Sequence, residues 1–384
     1  MKIALVHPQI IRATAVESFL IEFARRLSAA GHEITCVTSL TTPEIAASLP
    51  VRWELLPRLR GSAVMRMWHF NRLAPRAAVE AGVDVSVGFG RSCVQDIHRN
   101  GTGCHRLYGQ SLPLWQRYSL RHLYELHLER RLYTGQETKH FVTSSRTVAT
   151  QLQAIYGTAA ERFHILPPPV ESQLFKPAAD RASVREALCR KLQTDPQQPV
   201  LLFISLSHRR RGLEPLLLAM KHVHATLWIA GKGLNAAQRD LIQRHGLTAK
   251  VRSVPVTTNL VELYQSADWF VHPTQYDAFS MTVLQSLACG LPGIVSVMDG
   301  AVDHIRHGEN GFHLHHPQHP AELATAINTA LALERPQWQA LANTARETVT
   351  HLTWERHMRE WTDVMDGLQA SAAALSRHSA PFAF

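Results

Sequence analysis

The chain begins with a short apolar run, Ile3-Ala4-Leu5-Val6 after Lys2, the pattern of a strand buried on both faces of a parallel sheet. Residues 17–30 carry Phe19, Leu20, Phe23 and Leu27 at helical spacing, and Gly31 ends the run. Residues 34–37 predict the next strand, and 83–89 and 140–143 two more, with helical stretches between them. Strand and helix therefore alternate, as in an α/β domain. Pro167-Pro168-Pro169 can continue neither element and is read as a hinge. Beyond it the alternation restarts, with strand candidates at 200–204, 226–230, 251–254, 269–271 and 293–297. Trp354, Met358, Trp361 and Met365 then mark a last amphipathic helix over about 354–368.

A length of 384 residues accommodates two such domains, each with its own core. No stretch approaches the roughly 18 uninterrupted apolar residues of a spanning helix, and MKIALVHPQ turns polar too soon for a signal peptide, so a cytoplasmic location is expected. Five cysteines without CxxC spacing argue against a disulfide framework or a zinc site. The net charge of +9 asks for an anionic partner. Arg52, Arg58, Arg60, Arg66, Arg72 and Arg76 share one segment with Trp53, Met65, Met67, Trp68 and Phe70. Arg106, Arg117 and Arg121 share the next with Tyr108, Trp115, Tyr118 and Tyr124. Cations mixed with rings suit an anionic membrane surface, though ordinary faces of two helices would give the same pattern.

Three segments could carry chemistry. HPTQYDAFSMTVLQSLACGLP, from His272 to Pro292, reads as a strand end, a loop with one carboxylate and a helix. Free N–H groups where such a helix opens favour phosphates. SLSHRRRG at 205–212 also joins a strand to a helix, and its arginines could clamp a diphosphate. QDIHRNGTGCH at 95–105 sits where a strand of the first half ends, and open parallel sheets bind ligands beyond their strand C-termini.

In this order the segments resemble the family 4 glycosyltransferases, and FVTSSRTVATQLQAIYG and RFHILPP bring the likeness closest to the lipopolysaccharide-core heptose-I glucosyltransferases. The family's pair of Glu residues falls on Asp277 and Gln285, and its Arg and Lys ahead of a Gly fall on Arg210 and Arg211. The resemblance implies that Asp277 holds sugar hydroxyls, that the N–H groups of Ala278, Phe279 and Ser280 meet sugar and phosphate, and that Gln285 accepts from a ribose hydroxyl. Gly231 would lie near the uracil pocket. Thr14-Ala15 replaces the family's paired glycines, leaving Ala15 to approach the donor phosphates. Asp96 and His105 match acceptor-side positions of the lipopolysaccharide-core transferases and, with Asp277, are the catalytic candidates.

The implied fold is α/β of the GT-B type: two Rossmann-like parallel-sheet domains facing a cleft, with a C-terminal helix crossing back to the first. Residues 1–168 and 354–369 would form the acceptor side, 169–353 the nucleotide-sugar side, and 370–384 a disordered tail. The implied reaction moves a hexose from a UDP-sugar to a hydroxyl of a lipopolysaccharide-core, other cell-surface glycan or lipid-linked acceptor, with retention of configuration. No Asp-x-Asp motif occurs, so neither a metal nor a cofactor is expected beyond the UDP-sugar co-substrate. A non-catalytic nucleotide-sugar or lipid-binding protein of the same fold is the alternative. Nucleic-acid binding lacks any recognition motif, and no Gly-x-Gly-x-x-Gly supports a dehydrogenase.

Overall fold

The computed structural model describes residues 1–12, 14–254 and 259–378, with side chains to residue 370. It divides into two units, Met1–Pro167 with Glu355–Phe384, and Pro168–Trp354. The first unit contains strands β1 (Lys2–Val6), β2 (Glu33–Thr38), β3 (Arg52–Leu55), β4 (Val85–Gly88), β5 (Gln95–Asn100), β6 (Thr138–Thr143) and β7 (Phe163–Ile165). All are parallel, in the order β3-β2-β1-β4-β5-β6-β7. The basic segment 52–76 thus begins as strand β3 and ends in a helix, Ala63–Glu80, with Arg58 and Arg60 in the loop between them.

The core of this unit joins Ile3 and Leu5 of β1, Ile97 of β5 and Phe23 to Trp361 and Met365 of the last helix. Trp361 is fully buried, 4.8 Å from Phe23 between ring centres, a large apolar surface removed from water. That helix spans Trp354–His378. Residues 370–378, expected in a disordered tail, continue it, because alanines and leucine cost a helix little. Residues 379–384 lie outside the described residues.

The second unit contains β8 (Val200–Ser205), β9 (Thr226–Gly231), β10 (Val251–Val254), β11 (Trp269–His272), β12 (Gly293–Ser296) and β13 (Gly311–Leu314). These are parallel too, in the order β10-β9-β8-β11-β12-β13. Alternation along β8 sends Val200, Leu202 and Ile204 to one core with Val283 and Leu284, and Leu201 and Phe203 to another with Leu213 and Leu216. Both sheets therefore have two covered faces. Strand order reverses between β1 and β4 in one sheet and between β8 and β11 in the other, which marks the strand C-termini there as the binding positions.

Candidate active site

In the second unit the loops after β8 and β11 meet at this reversal point. Gly212 has φ of 76°, and a Cβ there would lie 2.1 Å from the Pro273 carbonyl oxygen. Only glycine permits that approach. The Arg210 carbonyl accepts from the Gln275 N–H at 2.9 Å and from the Thr274 hydroxyl at 3.1 Å, fastening one loop to the other. Arg210 and Arg211 are thereby carried to Asp277, whose Oδ2 lies 3.3 Å from Arg210 Nη1 and 2.8 Å from Arg211 Nη2.

Beneath Asp277 sits a buried polar network. Asp299, fully buried in the loop after β12, accepts from the N–H groups of Ser280 at 3.1 Å and Ala301 at 2.8 Å, and also from the Ser280 hydroxyl. His272 Nε2 lies 3.0 Å from Asp299 Oδ2. Arg211 Nη1 lies 3.9 Å from the same oxygen and also meets Ser280 Oγ and His272. Burial would raise the Asp299 pKa, but the His272 hydrogen bond and the charges of His272 and Arg211 outweigh it and hold the carboxyl below its ordinary range. His272 is pushed down, by burial first and by Arg211 second. The arrangement fixes a guanidinium in place before any ligand arrives, the preorganisation that stabilises developing negative charge.

Several expected donor-site residues have other partners here. The Phe279 N–H turns to Asp277 Oδ1 at 3.2 Å and the Ser280 N–H to Asp299. Among the described residues only Ala278, of the three, keeps its N–H without a partner. Gln285 Oε1 accepts from the Tyr264 hydroxyl at 3.1 Å. Gly231 has φ of 105°, and a Cβ there would meet the Ser205 carbonyl at 2.4 Å, so close strand packing already requires glycine. His272 and Asp299 were not singled out from the sequence as site residues. The buried setting of Asp299 has no local signature, since Met-Asp-Gly reads as any turn.

The first unit does not bring Asp96 and His105 together. Asp96 lies near the N-terminal end of β5, some four residues and about 13 Å from the strand's C-terminal end. It clips three strands: its Oδ2 accepts from the Ser86 N–H at 2.9 Å and hydroxyl at 2.7 Å, and its Oδ1 from Lys139 at 2.8 Å. Burial would raise its pKa, but Lys139 and Ser86 together hold it low. The catalytic expectation for Asp96 is therefore corrected to a structural one, because residues 95–100 form a further strand, β5, where the sequence suggested the segment past a strand's end.

His105 does stand past the C-terminal end of β5, buried, with Arg91 Nη2 3.0 Å from its Nδ1 and Glu125 Oε2 3.0 Å from its Nε2. A guanidinium at Nδ1 makes that nitrogen the acceptor and leaves the proton on Nε2 beside Glu125. Arg91 Nη1 also lies 2.7 Å from Glu125 and Arg121 Nε 3.1 Å from it. Burial opposes ionisation of Glu125, yet hydrogen bonding to His105 and the Arg91 charge bring it to about 2. His105, His122 and Glu125 have the spacing of a cation site, but Arg91 and Arg121 already supply the positive charge such a group would bring. Ala15 is the first residue of the helix Ala15–Ala29, capped by the Thr14 hydroxyl.

Two family models match this chain: one described as Glycosyltransferase Family 4 over residues 16–174, the other as Glycosyl transferases group 1 over residues 184–348. The D-inositol 3-phosphate glycosyltransferase of Geodermatophilus obscurus is 27% identical over 64% of the chain, which spans 56% of that relative's length. The lipopolysaccharide glucosyltransferase WaaG of Escherichia coli K12 is 24% identical over 78% of the chain and 76% of its own length. A crystal structure of WaaG superposes with a TM-score of 0.76 at 20% identity, covering 95% of this chain and all of that one. Anabaena Alr3699/HepE in complex with UDP-glucose gives 0.71 at 16% identity, over 96% and 100%. At these identities the structural likenesses bear on the fold.

Proposed function

Because the chain belongs to the family 4 glycosyltransferases of GT-B fold, we propose that it moves a hexose from a UDP-sugar to a hydroxyl of a lipopolysaccharide-core or other cell-envelope glycan, retaining configuration at the anomeric carbon. The observation that carries this reading is the pair Arg210 and Arg211, brought to Asp277 at the reversal point of the second sheet. HepE, of the same fold, has been crystallised with UDP-glucose, which supports a UDP-linked donor here.

In this mechanism the donor diphosphate lies against Arg210, whose side chain is more exposed and held by one longer contact, while Arg211 stays anchored beneath. As the glycosidic bond to the diphosphate breaks, charge gathers on the leaving oxygen. Two guanidinium groups then do the work otherwise done by a cation, so no metal or further cofactor is needed. Asp277 orients both arginines and offers its carboxylate to sugar hydroxyls. Gln285, on the helix Met281–Ala288, meets the ribose. On the acceptor side His105 holds Arg91 and Glu125 in register. Release of UDP from UDP-glucose and other UDP-hexoses, measured with and without lipopolysaccharide-core acceptors, tests the reading. Binding of UDP without acceptor-dependent release in any pairing would favour the non-catalytic alternative.

The acceptor's surroundings follow from the exposed surface of the first unit. Met65, Trp68, Leu114, Trp115, Tyr118 and Leu120 are all exposed, and they fall in the two arginine-bearing segments. Among the described residues no helix is long and apolar enough to cross a membrane. The proposed attachment is therefore peripheral, on the cytoplasmic face, with each arginine contributing on the order of 1 kcal/mol toward anionic lipid. The protein should pellet with anionic vesicles at low salt and be released at high salt. Equal partitioning onto neutral vesicles would remove the electrostatic part of the proposal.

A further inference from the structure

Beyond the C-terminal ends of β1, β2 and β3 the first unit holds a cavity of about 290 Å³, at the small end of the range for small-molecule pockets. His7 follows β1, Leu40 follows β2 and Arg58 follows β3. The helix Ala63–Glu80 adds Arg66 and Phe70, and the helix Leu120–Thr134 adds Arg121. Two basic segments that are separate in the sequence thus meet at one cavity. Among the described residues that line it there is no Asp or Glu.

The positive charges there are little compensated. Arg58 has no hydrogen-bond acceptor or ion-pair partner among the described residues. Arg66 donates to the Gly61 carbonyl, which holds the guanidinium without neutralising it. Arg121 reaches Glu125 at 3.1 Å, but that carboxylate already has Arg91 at 2.7 Å. Three guanidinium groups around one cavity suit a phosphoryl group, whose oxygens can accept from each of them.

The rest of the lining fits more than a bare anion. Leu40, Met67 and Phe70 give the cavity an apolar wall. The Nδ1 of His7 donates to the Gln9 carbonyl. Burial, outweighing that hydrogen bond, holds this imidazole below its ordinary pKa. The ring is therefore neutral at pH 7, and its Nε2 is left as an acceptor for a hydroxyl. Oxyanion, hydroxyl and the C–H face of a ring occur together in a sugar phosphate.

We propose that this cavity binds a phosphosugar group, with Arg58, Arg66 and Arg121 on the phosphoryl oxygens and His7 on a ring hydroxyl. That the group belongs to the glycan acceptor rests on the transferase reading; its binding follows from the first unit alone. A phosphorylated polyol headgroup of a lipid presents the same chemistry.

The test uses the full chain, with glucose 6-phosphate and mannose 6-phosphate as probes in calorimetric titrations. At least one should bind the wild type more tightly than glucose or inorganic phosphate does. Arg58 and Arg66 are exposed, so the double variant Arg58→Gln/Arg66→Gln should keep the wild-type melting temperature. Its phosphosugar affinity should fall by about tenfold or more, the loss expected for charge-assisted contacts. Arg210→Ala should keep that affinity, and an equal loss there would assign the binding to the second unit and overturn the proposal. No binding by either probe, equal affinity in the double variant, or inorganic phosphate bound as tightly as the sugar phosphates also overturns it. Sedimentation with vesicles separates the two sources. A preference of the wild type for phosphatidylinositol over phosphatidylglycerol vesicles of equal charge, absent in the double variant, assigns the cavity to a lipid headgroup. No such preference in either protein assigns it to the acceptor. If no UDP-sugar is turned over with any acceptor, yet the double variant still loses the phosphosugar, the transferase reading fails and the phosphosugar site stands.

Discussion

Arg211, half-buried, and Arg99, buried, both lie near the point where a parallel sheet reverses its strand order, and their charges are met in opposite ways. Around Arg211 the chain supplies Asp277 and Asp299 and ties each to backbone N–H groups. Around Arg99 it supplies a phenyl face, two neutral histidines and a helix N-terminus. The first arrangement is compensated in the free protein, so its arginine is held rigid and any ligand finds it in place. The second relies on the Phe19 ring face rather than on a carboxylate. A guanidinium tied to carboxylates can position its neighbours, whereas one held against a ring keeps its charge without a fixed hydrogen-bond geometry.

The contrast is broken most severely at Asp299. Asp299→Ala removes the acceptor of two N–H groups and a hydroxyl and leaves the buried His272, and Arg211 beside it, without their deeper carboxylate. Breaking a buried ion pair from one side costs about 3–5 kcal/mol. Urea denaturation should show a loss of that size, with Asp299→Asn between the mutant and wild type because the amide keeps an acceptor. A loss no larger than that of a surface substitution would mean the network is not the anchor described.

Next in size is the division of labour between the arginines. Arg210→Ala should lower UDP-sugar turnover by roughly 10- to 150-fold, the worth of one charge-assisted contact of about 1.5–3 kcal/mol, without changing the melting temperature. Arg211→Ala should lower turnover at least as much and should also destabilise, because Asp277 and Asp299 lose a partner. Equal stability of the two variants would erase the distinction between an anchored and a reaching arginine.

The two units also differ in how much of them the sequence made legible. Strand β8, VLLFIS, is apolar throughout and identifies itself. Strand β5, QDIHRN, is just as interior but carries Gln95, His98, Arg99 and Asn100 in buried positions. Hydrophobic patterning passes over it. Parallel strands ordinarily need a crossover of a dozen residues or more, yet only residues 89–94 separate β4 from β5. Patterning gives no sign of a second parallel strand so soon, and the sequence therefore puts Asp96 past a strand's end when it lies near the start of β5. Arg210 and Arg211 were readable because a basic cluster between a strand and a helix is a local pattern. The pairing of Asp299 with His272 and Ser280 depends on residues brought together by the fold, and no spacing announces it.

The histidines beside Arg99 give the contrast a pH dependence. His98 and His357 have pKa values near 3 in the folded chain and about 6.5 when unfolded. Between these values the unfolded state binds more protons, so stability is full above about pH 6.5 and falls as pH drops towards 3. The slope is about 1.4 kcal/mol per pH unit for each histidine. Urea titrations at a series of pH values should show this slope, and replacing both histidines by asparagine should flatten it by their share. An unchanged slope in the double variant would show that these imidazoles are not kept neutral.

The smallest effect is expected at Gln285, where the compensated unit departs from its family. The amide oxygen takes the Tyr264 hydroxyl at 3.1 Å, and burial raises the pKa of that phenol far above its ordinary value, so it remains a donor. In Gln285→Glu the same hydrogen bond would run to an ionised oxygen and hold the side chain in place, leaving its second oxygen as a charged acceptor for a ribose hydroxyl. A charged acceptor strengthens such a bond, and a gain of about 0.5–1.5 kcal/mol corresponds to roughly 2- to 13-fold tighter UDP binding. Calorimetry with UDP on the two proteins measures it directly. Weaker binding in the glutamate variant would mean that the ribose meets the amide N–H₂ as a donor, and that the pocket is organised around glutamine, with Tyr264 fixing which end of the amide faces the ligand.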